Sequence, residues 1–429
     1  MANVNLLESY KGRLAVSESY YAKSHNGAKL SQNKKLVVAK LLENQNKFLN
    51  EAFDNSVGTQ RSDMGLFRKF ALNLTTVAVP NLIAFDLVMV HPMSSMAGYV
   101  NYIQYTAGSN KGTTERGEVL NSPFGLGKVD ADYTSARVVE TLDTSKKLMW
   151  TPVLKVVKAT DAKGAEVDVA DWTVAEDGTV SGTGAEEGVK VAYIYNNVVI
   201  PQNDLPIVNA EMKAIPLVAK ARRIAIYYSQ IAAFQAKNDY GFDLGDQLAE
   251  KAVGQLSYEI DTEITQMLID NAAADSDLVW SKTLPVGVSK QEHYAGFVEI
   301  LEIARQKIYD RTKRFAPNYM LIASNLLPIM AFIPGFEAAP AGSINGPYFA
   351  GTLNSLKVYV TPNIEAGKFV IGVNGDDMMS SAAVYAPYMP VVPTQLLGYA
   401  DGAMSQGFST LYDLKLLNAN LLVGGRVSA

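Results

Sequence analysis

Two glutamates one helical turn apart, Glu259 and Glu263, are the residues whose type and spacing come nearest to acid–base chemistry. A carboxylate pair can divide proton donation and abstraction when its surroundings push the two affinities apart. The same spacing describes a solvated or subunit-facing helix surface, and that reading is preferred. Asp130 with Asp132, and Asp376 with Asp377, offer oxygen ligands for a metal. No third ligand stands near either pair, so both read as solvated turns. His25, His91 and His293 lie far apart and cysteine is absent, which removes the usual zinc sets, thiolate chemistry and disulfides. No Walker phosphate cradle, H-E-x-x-H helix or nucleophile elbow occurs; the run at 402–407 sets Ser405 at the wrong spacing for an elbow. Tyrosine and phenylalanine are scattered through apolar runs, as core packing requires, and are not grouped for base stacking. The expectation is a protein that is not an enzyme, with no metal and no cofactor.

The element that must carry Glu259 and Glu263 is a helix predicted over 243–274, about 45 Å long. Asp243 can accept free N–H groups of its first turn, and Asp246 adds a favourable charge there. Ala249, Val253, Leu256, Ile260, Ile264 and Met267 recur at steps of three and four and form one apolar stripe. Glu250, Glu259, Asp261 and Glu263 lie off it. A rod of this length suits a structural spine. Gly254 is its one weak position, at about 1 kcal/mol relative to alanine.

At 429 residues, 48% hydrophobic and 19% charged, the chain can form two or three domains around a sizeable core. No apolar run nears the ~20 residues of a membrane span, and no signal-peptide core opens the chain. A soluble intracellular product without a membrane partner is expected. Residues 1–50 hold eight Lys/Arg against three Glu, an excess of +5, so the remainder carries −10 of the net −5. Such a basic arm can touch nucleic acid or dock on acidic neighbours of its own kind, but its charges are too dispersed for a sequence-specific reader.

Along the chain, 36–53 is amphipathic through Leu36, Leu41, Leu42, Phe48 and Leu49, and 58–60 reads as a linker. An apolar strand is predicted at 82–90, then a long recognition or contact loop at 99–143 that opens with an alternating strand. Residues 145–201 read as a small β-rich module, and 212–230 as extended and then helical. A second helix is expected at 294–314, followed by strands at 318–324, 356–362, 368–375 and 382–390, a glycine- and alanine-rich mobile loop at 335–351, and a tail strand at 409–423. Short apolar strands beside helices predict an α+β layered fold.

Several runs, in order, resemble the major capsid proteins of T-even-type tailed bacteriophages. They are LLENQNKFLNEA at 41–52, the Pro80-Asn81-Leu82-Ile83-Ala84-Phe85-Asp86 run with His91-Pro92-Met93, the entry to the long helix, and YAPY within 382–395. The similarity runs discontinuously from about 36 to 425. It implies the Hong Kong 97-type capsid fold: an N-terminal arm (1–60), a peripheral domain opening at 61–94, an extended loop (95–225) carrying the β-rich insertion at 145–201, the spine part of the peripheral domain (226–274), an axial domain (275–400) and a peripheral C-terminal strand (401–429). The insertion does not closely resemble its T-even counterpart, so no binding role is carried over.

The function so implied is a major capsid protein that self-assembles into hexamers, with pentamers as a further arrangement, around the phage genome. A capsid vertex paralogue of the same fold and an encapsulin-like shell protein are the alternatives. The implied partners are further copies of the chain, scaffold, head-maturation protease, portal, and vertex or decoration proteins. Double-stranded DNA would lie on the inner face without sequence specificity. The protein would be made in the host bacterial cytoplasm and reside in the virion. Maturation proteases of the family cut after a glutamate, which points to a cut between Glu51 and Ala52, with Leu6-Leu7-Glu8 a weaker match.

Overall fold

Asp243 turns the chain into its longest helix, Leu244–Asn271. Its carboxylate accepts the N–H groups of Gly245 and Asp246 at 2.9 and 3.4 Å, which the helix itself cannot satisfy. The first half packs Ala249, Val253 and Leu256 on Val391 and Phe408. The second half sends Ile260, Ile264 and Leu268 into the principal core. One rod thus joins two apolar clusters. Leu268 closes the stripe in place of Met267, which is only partly buried. The helix stops three residues short of its predicted end because Ala273 already pairs in the strand Ala273–Ser281.

This computed structural model describes all residues except 1, 25–28, 55–70, 74, 77–78, 80–81, 127–131, 199–204, 340–345, 376, 378–379, 395 and 429. It divides into two units, residues 1–100 with 215–429, and residues 101–214. The first holds two sheets. One runs in the order Met89–Val90, Ala383–Pro393, Ala403–Leu416, Lys220–Ser229, with the short strand Leu397–Gly398 also paired to Ala403–Leu416. The other has seven strands: Ala273–Ser281, Leu422–Ser428, Lys368–Gly372, Tyr319–Ala323, Leu356–Thr361, Tyr348–Leu353 and Phe336–Ala338. Its central strand, Tyr319–Ala323, is buried at all five positions, and Phe369 packs edge-on against Phe297 at 5.4 Å. Parallel and antiparallel pairs mix in this sheet, in an α+β fold.

The N-terminal helices, Ala2–Ser9, Lys11–Ser24 and Gln32–Asp54, belong to this unit. Leu14, Val38, Leu41, Leu42 and Leu49 enter the principal core, whereas Phe48, expected on the apolar face, is exposed. In the second unit, Arg137–Thr141, Lys190–Tyr195, Val153–Thr160 and Glu166–Val167 form a sheet around Trp150, Tyr193 and Tyr195. The β-rich stretch therefore begins before residue 145. Lys111 is buried beside these rings; its ammonium donates to the carbonyls of Asp132 and Tyr133 at 3.0 and 2.9 Å. Among the described residues no helix is long and apolar enough to cross a membrane.

Four expectations are corrected. The strand predicted at 82–90 is mainly a helical turn, Ala84–Leu87, with only Met89–Val90 extended. The Ile83 N–H at its start donates to the Asp261 carboxylate at 3.0 Å, a partner 178 positions away that a local apolar run cannot announce. The helix predicted at 294–314 begins at Lys290 behind a Ser289–Glu292 capping box and is interrupted at Gly296. The tail strand splits: Ala403–Leu416 ends in one sheet and Leu422–Ser428 lies in the other. Between them the Asn418 side chain accepts the Asn420 N–H at 3.0 Å and fixes the bend. The stretch at 99–143 opens with the expected strand, Ala97–Ala107, but holds three further strands where a loop was predicted, Val119–Ser122, Gly125–Leu126 and Arg137–Thr141. The linker at 58–60, Pro80 and Asn81, and the middle of the 335–351 loop lie outside the described residues.

Candidate assembly surfaces

Glu259 and Glu263 do come together, around a cation. Arg222 on the strand Lys220–Ser229 donates to Glu259 at 3.1 Å and to Glu263 at 2.7 Å. Gln255 donates to Glu259 at 3.0 Å, and the Tyr412 hydroxyl donates to Glu263. Burial, then the hydrogen bond to Glu263 and its charge, push the Tyr412 hydroxyl well above the usual phenol range. The pair therefore fastens the long helix to the neighbouring sheet.

The other candidates disperse. Asp132 accepts the Ser135 hydroxyl at 3.1 Å, and Asp377 is an exposed turn residue; Asp130 and Asp376 lie outside the described residues, as does His25. Burial lowers the proton affinity of His91, and His293 stacks on Trp280 at 4.7 Å. Ser405 sits inside a strand opposite Tyr227. No group of three metal-capable side chains occurs among the described residues. Glu51 and Ala52 lie in the last turn of the helix Gln32–Asp54, with their side chains outside the described set.

Sequence reasoning missed Asp261. It was set off the apolar stripe, yet it is buried and feels the charge of Asp86. Burial holds its carboxyl well above the ordinary range, the Ile83 N–H opposes the shift, and the Asp86 charge adds to it. Asp86 in turn pairs with Lys34 at 3.2 Å and accepts the Tyr21 hydroxyl at 3.2 Å, which connects the N-terminal helices to the core. A signal existed: Asp261, Thr265 and Leu268 recur at helical spacing, and Thr265 and Leu268 are fully buried.

The exposed apolar surface lies at strand and loop borders. Val208–Val218 is exposed on both faces at nearly every position, with Met212 at 74%. Ile103 and Tyr105 are exposed on the strand Ala97–Ala107, which neighbours it. In the first unit, the helix Gln230–Tyr240 buries only Ala236 and leaves Ile231, Phe234 and Tyr240 outside. Residues 281–290 are exposed throughout, with Leu284, Val286 and Val288 along the loop. Apolar groups so arranged are characteristic of surfaces that other proteins cover.

A chain whose titratable groups serve as internal fasteners, and whose apolar side chains stand at its edges, is of the class that builds by contact. The model of the Gp23 major capsid protein family matches residues 64–426, and the chain belongs to that family. It is similar to the major capsid proteins of Escherichia phage AR1 and Enterobacteria phage T4, each 20% identical over 463 aligned residues that span 90% of this chain and 87% of the relative. A solved chain from Mycobacterium phage Adephagia aligns with 81% of this chain and 89% of its own length at 11% identity, with a TM-score of 0.41. The protein is thus a shell-forming structural component of a bacteriophage virion that assembles with its own kind, and it is not an enzyme.

Proposed function

We propose that this chain is the principal tile of a phage head, grouped into hexamers and, at the vertices, pentamers, that encloses double-stranded DNA. The observation carrying this reading is the strand Val208–Val218, exposed on both faces in the single chain. A strand so bare on one polypeptide gains its burial from neighbours. The domain plan follows the Hong Kong 97 type: arm 1–60, peripheral segments 61–94, 226–274 and 401–429, extended loop 95–225 with its insertion 145–201, and axial domain 275–400. Scaffold, portal, and vertex or decoration proteins complete the assembly, which forms in the bacterial cytoplasm. Purified chain examined by electron microscopy and sedimentation is expected to give closed shells with sixfold units; material that stays monomeric under all conditions overturns the proposal.

The cut between Glu51 and Ala52 by a head-maturation protease belongs to the same proposal. Both residues are helical, so the end of Gln32–Asp54 must unwind to enter a protease, as a frayed helix end allows. Val38, Leu41 and Leu42 would then be held in the core by packing alone. Mass spectrometry of mature particles tests this, and an intact mass near 46.5 kDa rules trimming out.

A further inference from the structure

The geometry points to a specific pairing between two copies of this chain, in which the strand Val208–Val218 of one lies antiparallel to the same strand of the other about a twofold axis at Met212. The inference rests on the shell-forming role and adds where and in what register two copies meet. Val208–Val218 is the terminal strand of its sheet, with Ala97–Ala107 on one side only. Two hydrogen bonds set the parity of that ladder. Gly108 N–H donates to the Ile207 carbonyl at 2.7 Å, and Ala219 N–H donates to the Met96 carbonyl at 2.8 Å. Odd-numbered residues of the strand therefore point their backbone groups at Ala97–Ala107, and even-numbered ones point away from it.

Three observations agree with that parity. Pro216, which has no N–H, occupies an outward position, as an edge proline must. The Pro216 carbonyl accepts from the Lys415 ammonium at 2.9 Å, and the Val218 N–H donates to the Asp413 carboxylate at 2.9 Å. The edge is thus occupied at 216 and 218, while Val208, Ala210, Met212 and Ala214 turn their backbone groups outward along a fully exposed stretch. Hydrogen-bonded pairing between two such edges must therefore join even residues to even residues.

Charge then selects the register. Glu211 and Lys213 share one face of the strand, 3.7 Å apart. With Met212 opposite Met212 of a second copy, each Glu211 faces a Lys213, at positions that lack backbone bonds and bring side chains closest. An axis at residue 211 or 213 would set like charges directly opposite one another, Glu211 on Glu211 or Lys213 on Lys213. An axis at 210 or 214 leaves both charges without their complement. On the other face Met212 lies across the ladder from Ile103, both exposed, so pairing doubles an existing apolar patch. Small side chains at Ala210 and Ala214 flank the axis and admit the second strand closely.

The absence of cysteine makes an introduced thiol a unique reporter. Full-length chain carrying Met212→Cys, at a position 74% exposed, is assembled, confirmed as shells by electron microscopy, and treated with oxidant or a short bis-thiol reagent. A covalent dimer is expected. Ala210→Cys alone should cross-link poorly, but a mixture of Ala210→Cys and Ala214→Cys chains should link efficiently. Glu211→Lys or Lys213→Glu should lower the Met212→Cys yield by about two- to fivefold, and the double exchange should restore it. Shells in which Met212→Cys stays monomeric, or in which Ala210→Cys links equally well, overturn the register while leaving shell formation intact. Absence of shells would instead count against the assembly reading itself.

Discussion

Tyr319–Ala323 and Val208–Val218 are both strands of this chain, yet every side chain of the first is buried and nearly every one of the second is exposed. The first lies between two hydrogen-bonded neighbours beneath helices; the second ends its sheet. The difference separates what a single copy completes from what it leaves for others. Side chains in the seven-stranded sheet set the stability of the tile, while those along the edge set how tiles meet. Substitutions should divide accordingly.

Phe369→Ala tests the interior most severely. It removes a fully buried ring and its contact with Phe297, and should cost about 3–5 kcal/mol in chemical denaturation. Lys34→Met comes next. It takes the cation from the side of a buried Asp86 and should cost about 1–3 kcal/mol in chemical denaturation.

Asp261→Asn should act mainly through pH. The folded carboxyl holds its proton more tightly than the unfolded chain does. The stability it contributes is therefore full below the ordinary carboxylate range and is lost as pH rises through the folded value. The amide can still accept from Ile83, so the variant should lose that alkaline decline, and denaturation curves at acid and at mildly alkaline pH would reveal it. Met212→Ala should be the mildest for the single chain, within about 0.5 kcal/mol, while raising the concentration needed for shells to appear in sedimentation. A large loss of monomer stability in Met212→Ala would erase the contrast between centre and edge.

Much of the interior was legible in the sequence because its signals are local. Asp243 capped the long helix as expected, and the apolar runs around 320, 358 and 370 became the central strands. The turn at Ala84–Leu87 was not legible, because its first N–H is satisfied by Asp261 from a distant helix. Nor could one strand at 409–423 be told from two in separate sheets, since a single asparagine makes the bend. At the surface, Glu259 and Glu263 were visible as a pair, but Arg222, which gives them their purpose, lies some 40 positions away. The apolar edge was hidden for a different reason: alternation reveals a strand with one buried face, and Val208–Val218 has none.

Pro216, with Lys415 and Asp413 beyond it, closes one end of that edge. A strand able to offer an endless row of backbone groups would recruit copy after copy into a fibre. Here the usable row is short, and a symmetric mate consumes it on both molecules at once. The contact saturates at two participants, so the edge joins a pair of tiles and goes no further.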